Sequence, residues 1–363
     1  MRVISPLLKR IVYPGLAAAG YFRTLRRTGP VVITYHGVAP EGYRSLDPAL
    51  DGALVTRDAL RRQIRLLQQH YCLITPEEFR KALSSNDPLP SRSVLLTCDD
   101  GLKNTVTDML PVLQETGASC LFFALGQAVQ SEPSLLWYEE LYLILLHAPD
   151  LSRLNAPEFA LQYGPRTLRT LWWDLVRVLS THDSHSRARL TEIIRSQLGG
   201  AAQMLHEDDS SQRRFLLANC GELKQLVAAG MSIGAHSICH PILSACAPDV
   251  NRKEIEGSRE ILSAALNVPV WAFAYPFGDD ESVGTREVNA ARAAGYDCAF
   301  VNHDDNAGAE FDRFAIPRIH VTSDMSLAEF EAHLSGFYRA LRRRFLPARS
   351  AGEQTLSAAR GAS

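Results

Sequence analysis

In the stretch "SVLLTCDDGLKN" at 93–104, an apolar run ends on two adjacent carboxylates, Asp99 and Asp100, followed by Gly101. Like charges side by side repel, and each loses hydration near a core. A turn accounts for Asp-Gly by itself. A cation accounts for the pair, because one carboxylate can then bind a metal while the other handles a proton. That reading needs further ligands, and "HSICHP" supplies candidates in His236 and His240. Four residues apart, on a helix they would lie one turn apart on a single face, close enough to ligate one ion. One carboxylate and two imidazoles make a three-ligand site with positions left open for water and substrate, as hydrolytic metal sites require.

Such residues are useful only if the fold brings them together. Short β-like runs recur: "VVITY" before His36, "YCLIT", "SVLLTC" before Asp99, "SCLFFAL", "MSIGA" before His236, "VWAFAYP" and "YDCAFV". Helical patterns alternate with them, including "TRDALRRQIRLLQQH" behind a Thr cap, "NTVTDMLPVLQET" and "GTREVNAARAAG". The alternation predicts a mainly parallel sheet wrapped by helices, either open and doubly wound or closed as a barrel. In parallel α/β folds, sites form at the carboxyl ends of strands, where His36, Asp99, Asp100, His236 and the "YPFG" turn all fall. From about 127 to 220 the rhythm gives way to long helical patterns. These read as an insertion forming a cap, with Trp172 and Trp173 packing it.

"TCDDG" and "HSICHP" resemble the Asp-Asp and His motifs of the polysaccharide deacetylases, the NodB-homology or carbohydrate esterase family four enzymes. "FAYPFG" resembles their third motif, and "TYHGV" at 34–38 resembles the opening of the exopolysaccharide deacetylase branch. The resemblance spans roughly residues 30–125 and 220–325 and implies a distorted (β/α)7 barrel. It implies Asp99 as general base, and Asp100, His236 and His240 as ligands of a divalent metal, Zn first with Co, Ni or Fe open to the same donors. The backbone N–H of Phe277 would serve the oxyanion. Two histidines compete as general acid. His320 in "IPRIHV" follows the usual family order, whereas His36 follows the branch with the N-terminal motif and is favoured because it comes directly after its strand. Two departures stand out. Cys98 replaces an aromatic residue and is expected to pack in the wall, while Ala274 replaces an arginine that orients the base, a task for which Arg318 is the candidate.

The expected activity is removal of N-acetyl groups from N-acetylhexosamine in a polysaccharide or a lipid-linked glycan precursor. Hydrolysis of a cyclic amide or an N-formyl group on the same fold, or glycan binding without catalysis, are the alternatives. With 363 residues, 46% hydrophobic, and a formal net charge of −2, the chain gives no global reason to expect a nucleic-acid partner. Residues 1–29 form a basic amphipathic segment with Arg2, Lys9, Arg10, Arg23, Arg26 and Arg27 and no acid before Glu41. They suit peripheral contact with an anionic membrane. Their apolar stretch is interrupted by Pro14 and falls short of the roughly 20 residues that span a bilayer. Basic residues continuing past the small-residue run favour a cytoplasmic or inner-face location over export. The seven cysteines have no paired spacing and read as free thiols. Residues 30–345 are expected to hold the barrel and its insertion, and 346–363 to be a disordered tail.

Overall fold

The computed structural model describes residues 6–25, 29–85, 87–130, 134–154, 167–198, 208–303 and 312–345. The expected tail, and Arg2, Arg26 and Arg27 of the basic segment, lie outside them. The chain forms two compact units, one from 29 to 325 and the other from the two ends of the chain.

The larger unit is built on eight parallel strands: β1 (Val31–Tyr35), β2 (Cys72–Leu73), β3 (Ser93–Cys98), β4 (Leu121–Ala124), β5 (Ser232–Ala235), β6 (Ala272–Ala274), β7 (Cys298–Phe300) and β8 (Ile319–His320). They run in the order β7-β6-β5-β4-β3-β1-β8, with β2 paired to the start of β3 off this path. An isolated bridge from Phe300 to Ile316, just ahead of β8, links the β7 edge towards β1. The sheet therefore curls into a distorted (β/α) barrel. β8 went unread in the sequence because two residues are too few to show a period.

Alternate residues of the strands share one core: Val32, Leu95, Leu121 and Phe123, Ala272 and Ala274, Cys298 and Phe300. Period-two burial on both faces explains why these strands read as continuous apolar runs. The helix Arg57–His70 begins where Thr56 accepts the Ala59 N–H, as the sequence pattern predicts. All seven cysteines are free, and Cys98 is fully buried in β3.

Between β4 and β5 the chain leaves the barrel for the insertion. Its helices Trp137–Leu146, Leu168–Ser180 and Ser184–Leu198 share a core of Leu141, Leu145, Leu175, Leu179, Ile194 and Leu198, with Trp172 and Trp173 partly buried against it. Arg214, 1% exposed, ties the insertion to the loop after β1. It donates to Asp51 at 2.7 Å and to Glu139 at 2.8 Å, so the buried guanidinium is charge-matched on two sides.

The smaller unit joins the helical turns Leu8–Val12 and Tyr13–Ala18 to the helices Leu327–Leu334 and Phe337–Phe345. Tyr13 and Phe22 are buried there with Ala332 and Tyr338.

Candidate functional site

β3 delivers Asp99 into the mouth of the barrel. One residue past the strand, the Asp99 N–H still reaches the Tyr35 carbonyl at 2.9 Å, which fixes the backbone. Its side chain, in a residue only 2% exposed, takes a two-pronged contact from Arg318: Nη1 to Oδ1 at 2.7 Å and Nη2 to Oδ2 at 2.6 Å. Arg318 is itself 1% exposed and is fixed by the Val301 carbonyl and Thr97 hydroxyl, its guanidinium lying over the Phe123 and Phe300 rings of the barrel core. Burial pushes the Asp99 carboxyl up, but the Arg318 charge, helped by His236, outweighs it and holds the carboxyl below its ordinary value.

Asp100 departs in another direction. It sits at φ 72°, a left-handed conformation uncommon for a residue with a Cβ, and Gly101 follows at φ 66°. Its Oδ1 lies 3.5 Å from His236 Nε2 and 3.4 Å from His240 Nε2. All three residues are buried, and their ligand atoms fall within 4.8 Å of one another. The two carboxylates that looked like crowded charges thus have separate partners.

The His pair is not helical, contrary to the one-turn spacing assumed from sequence. Residues 236–240 form a turn with Ser237 at φ 67° and His240 at φ 56°. Glu254, from the helix Pro248–Leu266, pins that turn by accepting the Ile238 and Cys239 N–H groups at 2.8 and 3.0 Å, and Ser237 Oγ accepts the His240 N–H at 2.9 Å. His236 Nδ1 lies 2.7 Å from the Ala274 carbonyl, which can only accept, so Nδ1 carries the proton and Nε2 is left to face Asp100. A second-sphere carbonyl that fixes the tautomer, together with a carboxylate and two buried imidazoles, fits a divalent first-row cation.

His36 follows β1, and its ring centroid lies 4.6 Å from that of His320 on β8, so the rival acids are neighbours. Among the described residues, buried His36 Nδ1 has no hydrogen-bond partner. Gly37 sets the turn after it at φ 121°, and a Cβ there would meet Asn104 Oδ1 at 2.1 Å, so no other residue fits. Phe277 takes φ 62° after β6, and no acceptor among the described residues is paired with its backbone N–H. Its ring lies against His240 at 4.8 Å.

What the sequence reading missed comes from the insertion and from the helix behind the His turn. The Tyr138 ring packs at a tilt against His240 (4.9 Å) and Phe277 (5.5 Å), and Trp137 Nε1 donates to the His240 carbonyl at 3.0 Å. Burial and then the nearby Asp100 charge push the Tyr138 hydroxyl well above the ordinary tyrosine range. "WYEE" gave one hint, a polar pair opening an apolar helix. Glu254 gave none, since a single acid on an amphipathic helix reads as solvated.

Comparison with known proteins bears on this arrangement. Residues 86–142 and 206–299 match the family model for polysaccharide deacetylase, the break between them falling inside the insertion. No match was found among curated proteins. Among solved structures, the Streptococcus pyogenes deacetylase PplD superposes with TM-score 0.53 at 18% identity over 83% of this chain and 95% of its own. IcaB from Ammonifex degensii gives 0.52 at 18% over 86% and 99%. BC0361, a polysaccharide deacetylase from Bacillus cereus, gives 0.51 at 16% over 84% and 68%. At such identities these likenesses concern the fold, while the family match takes in both the Asp99–Asp100 and the His236–His240 stretches: over these residues the chain carries a polysaccharide deacetylase domain.

Proposed function

We propose that this chain is a divalent-metal-dependent N-deacetylase acting on N-acetylhexosamine in a polysaccharide or a lipid-linked glycan precursor. The observation that carries the reading is the division of labour between neighbouring carboxylates, with Asp100 facing two imidazoles and Asp99 clamped by Arg318. Asp100, His236 and His240 would hold the cation. When bound, such an ion supplies Lewis-acid activation of water and of the acyl carbonyl.

The chain's own residues do the rest. Asp99, kept ionised by Arg318, takes a proton as water adds to the acyl carbon. The Phe277 N–H, which has no acceptor among the described residues, donates to the oxygen on which charge develops. His36 or His320 then gives a proton to the nitrogen as the C–N bond breaks, releasing a free amine and acetate. His36 remains the favoured donor, because it follows β1 directly.

The test is acetate release from N-acetylhexosamine oligomers, nucleotide sugars and lipid-linked precursors by metal-loaded protein and by Asp99→Asn. A loss of at least about a hundredfold with bound metal retained is expected of a missing base. Release that survives in Asp99→Asn, or that no substrate yields, would reject the reading.

A further inference from the structure

The smaller unit carries a surface that the hydrolytic site does not use. The segment 7–18 is apolar on both faces. Inwardly, Tyr13 is buried, with Leu8, Leu16 and Ala17 packed around it. Outwardly, Leu7 and Ile11 are 58% and 63% exposed at a four-residue spacing, and Pro14, Gly15 and Ala18 continue the exposed stripe. Tyr21 and Leu327 of the same unit are also exposed. A helix in water normally turns polar residues outward, so an outward apolar stripe implies a second apolar environment.

Charge identifies it. The unit's two acids in the described residues, Glu329 and Glu331, are each 2% exposed and engaged by Lys9 at 3.3 Å and Arg23 at 2.7 Å. Arg10, Arg342, Arg343 and Arg344 are exposed. The outer surface therefore combines apolar side chains with cations and, among the described residues, shows no exposed carboxylate. A protein partner would need no such one-sided charge, whereas a bilayer bearing anionic headgroups matches both features at once. No helix among the described residues is long and apolar enough to cross a membrane, so the contact is a lateral one.

We infer that the unit formed by the chain ends docks on an anionic lipid surface, with Leu7 and Ile11 entering the headgroup boundary and Arg10 and Arg342–Arg344 meeting lipid phosphates. This stands apart from the deacetylase reading. The test is co-sedimentation of the full chain with vesicles of phosphatidylcholine alone and with vesicles enriched in phosphatidylglycerol. Binding is expected only to the latter, and to weaken as salt is raised. Ile11→Glu and the combined Arg342→Gln, Arg343→Gln, Arg344→Gln variant should each reduce it roughly tenfold or more, with unchanged melting and unchanged hydrolysis of soluble substrate. Equal binding to both vesicles, or to neither, overturns the inference. So does a dimer in lipid-free solution that Ile11→Glu converts to a monomer, since the stripe would then cover a second copy.

Discussion

A carboxylate at 2% exposure stays ionised only if something replaces the lost water, and for Asp99 that is Arg318. Burial alone would raise its pKa, so the direction after substitution follows. Arg318→Met is expected to move the acid limb of kcat/KM to higher pH, because Asp99 must then lose its proton without the neighbouring cation. Leaving one buried charge unpaired should also cost about 3–5 kcal/mol of stability by denaturant titration. A variant that folds and shows an unmoved acid limb would mean that Asp99 is not the group titrating there. At this level much was legible. Asp99, Asp100, His236 and His240 announced themselves by type and spacing, and Arg318 by the absence of an arginine at 274. What could not be read was backbone: Asp100, Ser237, His240 and Phe277 all take positive φ, a strain that residue identity does not betray because none is glycine.

The insertion helix Trp137–Leu146 belongs with the barrel's chemistry as much as with its own core. Its first turn puts Tyr138 on His240 and Phe277 and ties Trp137 to the His240 backbone. Supporting residues of this kind orient ligands, and their loss costs roughly 10–100-fold in metal affinity. Tyr138→Phe, which keeps the ring, is expected to retain metal like the parent, while Tyr138→Ala should weaken retention by about tenfold or more in competition with a chelator. Full affinity in the alanine variant would reduce the insertion to a bystander at this site. The sequence disclosed the insertion by its broken rhythm, and its helices fall where the apolar spacing put them. Its approach to His240 was not legible, because that depends on tertiary placement between β4 and β5 and on the Arg214–Asp51–Glu139 anchor, whose partners are far apart in sequence.

In the folded molecule as a whole, Asp100, His236 and His240, the ligands proposed for the cation, also link the ends of β3 and β5, so cation uptake, protonation and fold stability would be coupled. Without metal, burial opposes charge on His236, yet the hydrogen bond to Asp100 and the two Asp charges raise its pKa above the usual value. The same histidines, against burial, hold Asp100 well below the carboxylate range, while burial lowers His240. The signs follow from these directions. The Asp100 contribution is present above the unfolded carboxylate range and is lost as pH falls through its depressed folded value. The His236 contribution is complete below about 6.5 and is lost as pH rises through its raised folded value. Metal uptake must expel the His236 proton, so affinity rises as pH climbs through that same region. Metal-free protein should therefore lose stability where metal-loaded protein gains it, and ligand at about a hundredfold over Kd adds about 2.7 kcal/mol. The expected result is a gap in Tm between metal-loaded and chelator-treated protein that widens from pH 5.5 to 7.5, with both histidine-to-alanine variants showing no gap. A gap of constant size across that range would mean that the ion is held by groups that do not titrate there, and that His236 is not among its ligands.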